Sequence, residues 1–567
     1  MPIVLGIHDG THDAGAALIR DGKLIAACDE ERFTRKKGAG GWPESSIATC
    51  LQIANTSMED IDAIAFAGLV TPNPALRLFR QAQQHWHLDD GKFYQPKPSW
   101  RRRLADWLQF QSPFPHLRSS NAFYKPILQY ALQRQSQKSI NWNGPIQLFD
   151  HHRCHAAAAY FQAGFDESLV VIVDGVGDGL CATIWQGRGT SLELLGNMPY
   201  PHSYGLLYSS ITGHLGFRPF RHEGKLTGLA AHGNRHNVDV AFPFTGEFPN
   251  RHFTQQYPLH NWLKKLSRFC KEDICAWLQH GLEQEITGLI NYYLQQTGLQ
   301  HLALAGGVFA NVRLNQAISE QCPIKDVFIF PNMGDAGLSV GAALCLGNKQ
   351  WKWPPTSLNN VFLGMDISEG QITTALQGSG MQYRLLTQPS QEIATLLAQG
   401  KIVARCSGRM EYGPRALGNR SILADPGNPL ITKRLNKALQ RSDFMPFAPI
   451  IASDSLDEYL EWKPSIYRAM QFMTITVQAK SSLSKLCPAI VHVDGSLRPQ
   501  IITKENQPEL WEILSLFQQQ TGRPALINTS FNIHEEPIIA QAEEAIRAVQ
   551  KAKLDVLILG RYLVTAR

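Results

Sequence analysis

The same short plan of strands occurs twice in the sequence. Residues 3 to 31 contain three apolar runs separated by a polar turn and a tight Arg-Asp-Gly turn, and residues 168 to 198 repeat this arrangement. In each copy an aspartate and a glycine follow the first run. Two such openings predict an internally duplicated α/β domain. The first turns of the two copies are expected to face one cleft, the default place for a ligand.

The length and composition indicate a globular protein of several domains. A chain of 567 residues is too long for one ordinary core. No run approaches the roughly 20 apolar residues that span a bilayer, and no leader pattern opens the chain, so we expect a cytoplasmic protein that does not enter a membrane. The ten cysteines form no CxxC pair, which argues against a zinc ribbon or a disulfide framework.

The formal charge of +6 comes from one segment. Residues 71–140 contain eleven Lys and Arg against three Asp and Glu, so their excess alone exceeds that of the whole chain. The remainder gives no argument for nucleic-acid binding. This Pro- and Trp-containing segment is interpreted as a solvated insertion, and the alternative is a surface that recognises an acceptor or packs on a partner chain.

A candidate metal site begins with the sequence DHHRCH. His151 and His155 are four residues apart, which places two imidazoles on one face of a helix. The next apolar run ends in Asp174, and Asp335 lies before a helix rich in small residues. Two histidines with carboxylates suit Fe(II), Zn or Mn better than Mg or Ca. The alternatives are surface histidines near a helix start and an aspartate that only caps a helix.

Other polar residues lie in glycine-rich turns of the first domain. His12 beside Asp13 is a candidate general base, and the alternative is a turn histidine that binds backbone groups. Lys225 lies between glycines and could contact phosphate oxygens. Gly306 and Gly307 separate a buried strand from a helix that begins near residue 311, where a nucleotide could approach the backbone closely.

A second domain follows a linker at 346–360. Its sequence GPRALGNR presents Arg415 from a stiff turn, with Arg420 five residues later, and both suit a phosphate or carbamoyl oxygen. The alternative is an arginine that binds loop carbonyls. Arg498 and the segment Ile527–Asn532 add groups that could bind a small planar amide.

Taken together, these stretches resemble the O-carbamoyltransferase family that modifies antibiotics and nodulation factors. The resemblance runs from residue 3 to the C-terminus except for 71–140. Its most specific parts are HDAGAALIRDGKLIAACDEERFTRKK, HHRCHAAAAYF, IVDG, GKLTGLAAHG, AGGVFANVRLNQ, GDAGLSVGAA, GPRALGNRSIL, MPFAP and NTSFN.

The resemblance implies a duplicated actin-like ATPase domain, of the kind found in tRNA threonylcarbamoylation, at 1–350 and a YrdC-like domain at 360–567. The second domain would form carbamoyl adenylate from carbamoyl phosphate and ATP with Mg, and the first would transfer the carbamoyl group to a hydroxyl of a small molecule. The family pattern assigns Fe(II) to His151, His155, Asp174 and Asp335, the base to His12, and the adenylate to Lys225, Gly306, Gly307 and Asn311. In the second domain the resemblance implies catalytic roles for Arg415 and Arg498. Asn528, Ser530 and Asn532 would bind carbamoyl phosphate and ATP, with Arg441 as a further candidate.

The chain departs from the family pattern at one position. Leu439 stands where family members usually have a lysine. We favour a one-residue shift of this chain against the family pattern, which would let Arg441 or Lys437 supply the missing charge. An actin-like ATPase or sugar kinase without carbamoyl chemistry, or a nucleotide-dependent scaffold, would explain the duplication but not the histidine pair. A homodimer is the default expectation for such an enzyme.

Overall fold

The structure, a computed structural model, describes residues 1–69, 77, 124–255, 259–440 and 447–565. These residues form two compact units, of which the first comprises Met1–Thr34 with Gly38–Leu358 and the second comprises Arg35–Lys37 with Asn359–Arg567. Within these ranges, no helix combines the length and apolar character that a membrane crossing requires.

Two of the predictions from sequence fall wholly or partly outside these ranges. Of the basic segment at 71–140, the structure describes Arg77 and a helix over Tyr124–Ile140. Arg441, the candidate for the missing family charge, lies outside the described residues.

The first unit contains two five-stranded sheets of the same design. The first sheet consists of β1 (Ile3–His8), β2 (Gly15–Arg20), β3 (Lys23–Asp29), β4 (Ala63–Ala67) and β5 (Ile146–Phe149) in the order β3-β2-β1-β4-β5. The second consists of β6 (Glu167–Gly177), β7 (Leu180–Arg188), β8 (Ser191–Pro199), β11 (His301–Ala305) and β12 (Asp326–Ile329) in the order β12-β11-β6-β7-β8. A short hairpin of β9 (Phe244–Thr245) and β10 (His252–Phe253) is separate.

In both sheets the first three strands pair antiparallel and the last two add in parallel to the first. The predicted internal duplication of an α/β domain is confirmed by this repeated order.

The helices of the first unit cover these sheets. They are α1 (Glu31–Thr34), α2 (Glu44–Ile53), α3 (Tyr124–Ile140), α4 (His151–Phe161), α5 (Tyr204–His214), α6 (Glu223–Ala230), α7 (His260–Leu263), α8 (Lys271–Thr297), α9 (Val312–Gln321) and α10 (Leu338–Trp351). Helix α8 is capped at its C-terminus by Gly298, which adopts the left-handed conformation with φ of 69°.

Two of these helices bring the halves of the duplicated domain together. Helix α4 packs on β6 and β11 of the second sheet, and α10 packs on β1 and β4 of the first. The two helices also pack on each other, and a Cβ at Gly341 would lie 1.8 Å from the carbonyl oxygen of Cys154. The close approach therefore requires glycine, and it places both helix starts in one region.

The second unit contains a mixed eight-stranded sheet. Its strands are β13 (Gln382–Leu385), β14 (Val403–Cys406), β15 (Arg420–Ala424), β16 (Ala448–Ala452), β20 (Gln500–Ile502), β21 (Ala525–Ser530), β22 (Val556–Leu559) and β23 (Tyr562–Thr565), in the order β13-β23-β22-β14-β15-β21-β16-β20. Strands β17 (Leu460–Glu461), β18 (Val477–Ala479) and β19 (Ser496–Leu497) form a second, small sheet.

The described helices of the second unit are α11 (Glu369–Ser379), α12 (Pro389–Ala398), α13 (Leu430–Leu439), α14 (Leu456–Tyr459), α15 (Tyr467–Gln471), α16 (Ser481–Leu486), α17 (Pro508–Thr521) and α18 (Ala542–Ala552). Helices α12 and α17 pack together over the large sheet, where Ile393, Leu397, Ile513 and Phe517 are buried with the strand residues Val403 and Leu526. This α/β domain is the one predicted to be YrdC-like.

Candidate active site

Helix α4 carries the two predicted histidine ligands at its start. Asp150 caps the helix, since its carboxylate accepts the N–H of Arg153 at 2.9 Å, and the alanines at 156–159 favour helix. His151 and His155 are buried and lie on one face, with ring centroids 4.8 Å apart. The third histidine, His152, is also buried, but its ring binds the backbone oxygen of Leu180 and the hydroxyl of Thr183 in the second sheet.

Two aspartates complete the cluster. The Nε2 atom of His151 lies 3.2 Å from Asp174 Oδ2 and 3.5 Å from Asp335 Oδ1, and His155 Nε2 lies 3.5 Å from the same Asp335 oxygen. One donor atom from each of the four residues lies within 4.8 Å of the others. The structure therefore brings all four predicted ligands together.

The spacing of these atoms fits one cation. Metal bonds of about 2.1 Å place neighbouring ligand atoms roughly 3.0 to 3.4 Å apart in octahedral or tetrahedral sites. The observed separations of 3.2 to 4.0 Å are close to that range. In addition, the buried Nε2 of His155 has no hydrogen-bond partner among the described residues, which suits an atom that ligates a metal.

The electrostatics of the cluster also favour a cation. Burial opposes the charged form of His151, but the charge of Asp335 and a hydrogen bond to Asp174 raise its pKa to about 10. Burial likewise opposes ionisation of Asp335, yet the neighbouring histidines hold its pKa well below its usual range. The two carboxylates thus attract positive charge, which protons supply when no metal does.

Asp174 connects the cluster to the glycine turn. Its Oδ2 faces His151, and its Oδ1 accepts the N–H of Gly307 at 3.0 Å. Such a bond fixes the orientation of a ligating carboxylate. The sequence predicted that the strand ends at Asp174, but β6 continues to Gly177 with an irregular register after Val173, so the aspartate projects from within a strand.

The predicted nucleotide turn has the expected shape. Gly306 has a φ of 102°, and a Cβ there would lie 2.3 Å from the carbonyl oxygen of Val173, so only glycine fits. A single 3₁₀ turn over Gly307–Ala310 precedes α9. Asn311 caps that helix by accepting the N–H of Leu314 at 3.0 Å, and its amide also pairs with that of Gln279 in α8.

Lys225 differs from its prediction in secondary structure. The sequence suggested a turn between glycines, whereas Lys225 lies within α6 and Gly228 is buried in that helix. Gly228 therefore allows close packing of α6 inside the unit. The side chain of Lys225 is partly exposed.

His12 lies in the turn between β1 and β2, beside the cation cluster. Its Nδ1 contacts Asp13 Oδ2 at 2.9 Å, and its Nε2 lies 3.7 Å from Asp335 Oδ2. Desolvation lowers the pKa of His12, but the hydrogen bond and charge of Asp13 and the charge of Asp335 raise it to about 9 overall. An imidazole held by a carboxylate at one nitrogen presents the other for proton transfer.

In the second unit, hydrogen bonds join Asn528 to the turn that carries Arg415. The side chain of Asn528 donates to the backbone oxygen of Ala416 at 3.0 Å and to Gln500 Oε1 at 2.6 Å, and Gln500 donates to the oxygen of Leu417 at 2.8 Å. These bonds tie the turn that carries Arg415 to β20, which follows Arg498, and to β21. Desolvation lowers the pKa of Arg415 to about 10, so this residue stays charged at neutral pH.

The remaining predicted residues of this unit have varied surroundings. Ser530 donates to Asn532 Oδ1 at 2.7 Å, and Asn532 donates to the oxygen of Glu536 at 2.6 Å. The buried Oδ1 of Asn528 accepts no hydrogen bond from the described residues. Leu439 is a core residue at the end of α13, so this position supplies no charge.

Arg420 binds loop carbonyls, which was the alternative to a role in ligand binding. Its guanidinium is fully buried and donates to the backbone oxygens of Ser407 and Gly408. It therefore supports the turn from inside.

Glu411 supports the same turn, because its Oε1 accepts the backbone N–H groups of Leu417, Asn419 and Arg420. Sequence reasoning missed Glu411 and Gln500, although Glu411 lies within the stretch that carries Arg415. No spacing rule shows that an acidic side chain folds back on its own loop.

Comparison with known proteins identifies the family of the chain. Residues 3–344 match the family described as Carbamoyltransferase N-terminus, and residues 394–566 match Carbamoyltransferase C-terminus. An uncharacterized protein of Synechocystis sp. is 31% identical, covering 100% of this chain and 97% of its own length. Nodulation protein NolNO of Sinorhizobium fredii is 30% identical over 98% of this chain and 79% of its own.

Among solved structures, HypF from T. kodakarensis is similar at 13% identity and a TM-score of 0.35, covering 62% of this chain and 48% of that one. The two family matches extend over both units described above. The chain therefore belongs to the carbamoyltransferase family and is an enzyme that transfers carbamoyl groups.

Proposed function

We propose that this carbamoyltransferase uses ATP with Mg and carbamoyl phosphate to carbamoylate a hydroxyl of a small-molecule natural product. The observation that carries the proposal is the cluster of His151, His155, Asp174 and Asp335, whose donor atoms lie within 4.8 Å of one another beside His12 and the Gly306 turn. An actin-like ATPase or sugar kinase does not need a two-histidine cluster.

The proposed chemistry has three steps. Water displaces phosphate from carbamoyl phosphate and leaves carbamate. An oxygen of carbamate then attacks the α-phosphorus of ATP, and pyrophosphate leaves as carbamoyl adenylate forms. Finally, the acceptor hydroxyl oxygen attacks the carbamoyl carbon, the bond from that carbon to the AMP oxygen breaks, and AMP leaves. The mixed anhydride makes the carbamoyl carbon a good electrophile.

The second unit is proposed to form the adenylate. Arg415 and Arg498 are suited to the charge of carbamoyl phosphate and of the departing groups. Asn528, Ser530 and Asn532 are proposed to hold carbamoyl phosphate and ATP, together with Arg441, which lies outside the described residues. The buried Oδ1 of Asn528 can accept the N–H of a carbamoyl group, because it has no partner among the described residues.

The first unit is proposed to carry out the transfer. His12 takes the proton of the acceptor hydroxyl on its Nε2 while Asp13 holds Nδ1. Lys225, Gly306, Gly307 and Asn311 are proposed to hold the adenylate. His151, His155, Asp174 and Asp335 would hold Fe(II), which suits this mixed nitrogen and oxygen donor set. When bound, the cation supplies Lewis acidity at a phosphate or carbonyl oxygen and offsets the carboxylate charges that raise the pKa of His12.

Pyrophosphate release tests the proposal without a known acceptor. Purified full-length protein is incubated with ATP, carbamoyl phosphate and Fe(II), with Arg415→Ala and the surface variant Arg434→Ala in parallel. We expect pyrophosphate that depends on carbamoyl phosphate, a rate reduced roughly 100-fold in Arg415→Ala, and a rate near wild type in Arg434→Ala, whose guanidinium contacts only Asp555 in the described structure. No pyrophosphate from folded, iron-loaded protein would contradict the adenylation half.

A further inference from the structure

His8 is a buried histidine at the edge of the cation cluster. It is the last residue of β1 and is 1% exposed. Burial lowers its pKa to about 4, which leaves the imidazole neutral, and the charged groups that act on it are Asp335, His151, Asp9 and His12. No sequence pattern indicates a role for His8, because it lies within an apolar strand and has no second histidine at helical spacing.

Neither ring nitrogen of His8 has a hydrogen-bond partner among the described residues. A neutral imidazole carries one donor and one acceptor, and burying both without partners is unfavourable. His152 shows the contrast, since it is equally buried but both of its nitrogens are bound by Leu180 and Thr183. A buried polar group left in this way indicates a partner other than the described residues, such as a bound ligand.

The turn after β1 is shaped around the His8 ring. A Cβ at Gly10 would lie 2.4 Å from Nε2 and 2.7 Å from Cε1 of His8, so any larger residue at this position would clash with the ring. The adjacent Asp9 carboxylate is bound by the guanidinium of Arg77, with the closest contact at 2.8 Å. The negative charge beside the ring is therefore balanced within the protein.

His8 is not one of the residues of the cation cluster. The donor atoms that lie within 4.8 Å of one another come from His151, His155, Asp174 and Asp335, and His8 contributes none of them. Four protein ligands leave positions free in an octahedral site, and an oxygen ligand there would come within reach of side chains at the edge of the cluster.

We propose that His8 donates a hydrogen bond from its ring to a phosphate oxygen bound at an open position of this cation. The phosphate is either that of a nucleotide or free phosphate, since the oxygen chemistry is the same. The inference rests on the proposed function, because it requires a cation at the four-residue cluster. His8 thereby binds the ligand directly and adds a fifth side chain to the site.

Binding to the Co(II)-loaded, full-length protein tests the inference. The variants are His8→Phe, which keeps the ring shape, His8→Asn, which keeps an N–H donor, and the control His152→Phe on α4. We expect His8→Phe to weaken the binding of AMP and of inorganic phosphate about tenfold, equivalent to about 1.4 kcal/mol, with a smaller loss in His8→Asn. Adenosine affinity should not change, and Co(II) affinity should stay within about threefold of wild type.

Isothermal titration calorimetry measures these affinities, and its results support or overturn the proposed role of His8. A loss for both AMP and phosphate supports the inference for any phosphate, and a loss for AMP alone supports it for the nucleotide. Equal AMP and phosphate affinities in wild type and His8→Phe would overturn it. A 100-fold loss of Co(II) affinity would overturn it as well, because His8 would then be a ligand of the metal.

Thermal unfolding of the metal-free variants separates this role from a structural one. His8→Phe removes two unpaired polar atoms, so its Tm should equal or exceed that of wild type, whereas His152→Phe loses two buried hydrogen bonds and should unfold at a lower temperature. A fall in Tm for both His8 variants that matches His152→Phe would assign His8 to the core. If wild type binds AMP through His8 but releases no pyrophosphate, the adenylation proposal fails and the role of His8 stands.

Discussion

The two units build their candidate sites from different groups. In the first unit, ionisable side chains such as His151 and Asp335 face one another at 3.5 Å. In the second unit, Glu411, Gln500 and Asn528 bind the backbone of a single turn. A cluster of charges responds to protons and cations, whereas a turn held through backbone groups depends on shape. The two sites should therefore fail under different changes.

The largest effect is expected where a charge beside the first site is buried completely. The Arg77 guanidinium and the Asp9 carboxylate are both fully buried, and Arg77 also donates to the oxygens of Ala67 and Gly68. Arg77→Met removes the guanidinium that binds the buried Asp9 carboxylate, and it should reduce the free energy of unfolding by about 3 to 5 kcal/mol. Urea unfolding measures the change.

The double variant Asp9→Leu/Arg77→Met is the control for that prediction, because it removes both charges. Most of the lost stability should return. A single variant within about 1 kcal/mol of wild type would show that burial of this pair does not govern the region.

Loss of one ligand should affect cation binding by the first site alone. His155→Gln removes an imidazole that faces Asp335 at 3.5 Å, and Co(II) affinity should fall about 100-fold or more. The matched control is His152→Gln on the same helix, which should stay within about threefold because His152 faces the second sheet. Calorimetric titration of Co(II) decides, and equal losses in both variants would show that the helix, and not the ligand, is responsible.

The turn that carries Arg415 should be destabilised by a substitution of Glu411 that keeps the size of the side chain. Glu411→Gln retains an oxygen for the N–H groups of Leu417, Asn419 and Arg420 but removes the charge that strengthens those bonds. We expect a loss of about 1 to 3 kcal/mol in the free energy of unfolding, with unchanged Co(II) affinity. A change in Co(II) affinity instead would contradict the separation of the two sites.

A change of pH distinguishes the two sites without mutation. The folded-state pKa of His151 is raised to about 10, above the unfolded value of about 6.5. Its contribution to the stability of the metal-free protein is therefore fully present below pH 6.5 and is lost as pH rises towards 10. A cation must displace this proton, so Co(II) affinity should rise by up to about tenfold per pH unit between pH 6.5 and 8.5. An affinity independent of pH would contradict the protonated pair.

Local patterns predicted much of this molecule, and contacts between distant segments did not follow from them. The spacing of His151 and His155 is a property of one helix, so the sequence predicted this pair. It also predicted the repeated strands of the two sheets. The roles of Glu411 and His8 depend on what folds against them, which no spacing shows. Arg420 and Arg415 look alike in sequence, but only burial against carbonyls assigns Arg420 to the core.

The turn residue Asp178 has a mechanical consequence for the duplicated domain. It lies between β6 and β7 of the second sheet, and its Oδ2 accepts the N–H groups of Leu69 and His151, each at 2.8 Å. Leu69 follows β4 and His151 follows β5, so both donors belong to the ends of the first sheet. A rotation of one half against the other would therefore strain both bonds. Because one of the two donors is the backbone of His151, such a strain would act on the first residue of the histidine helix.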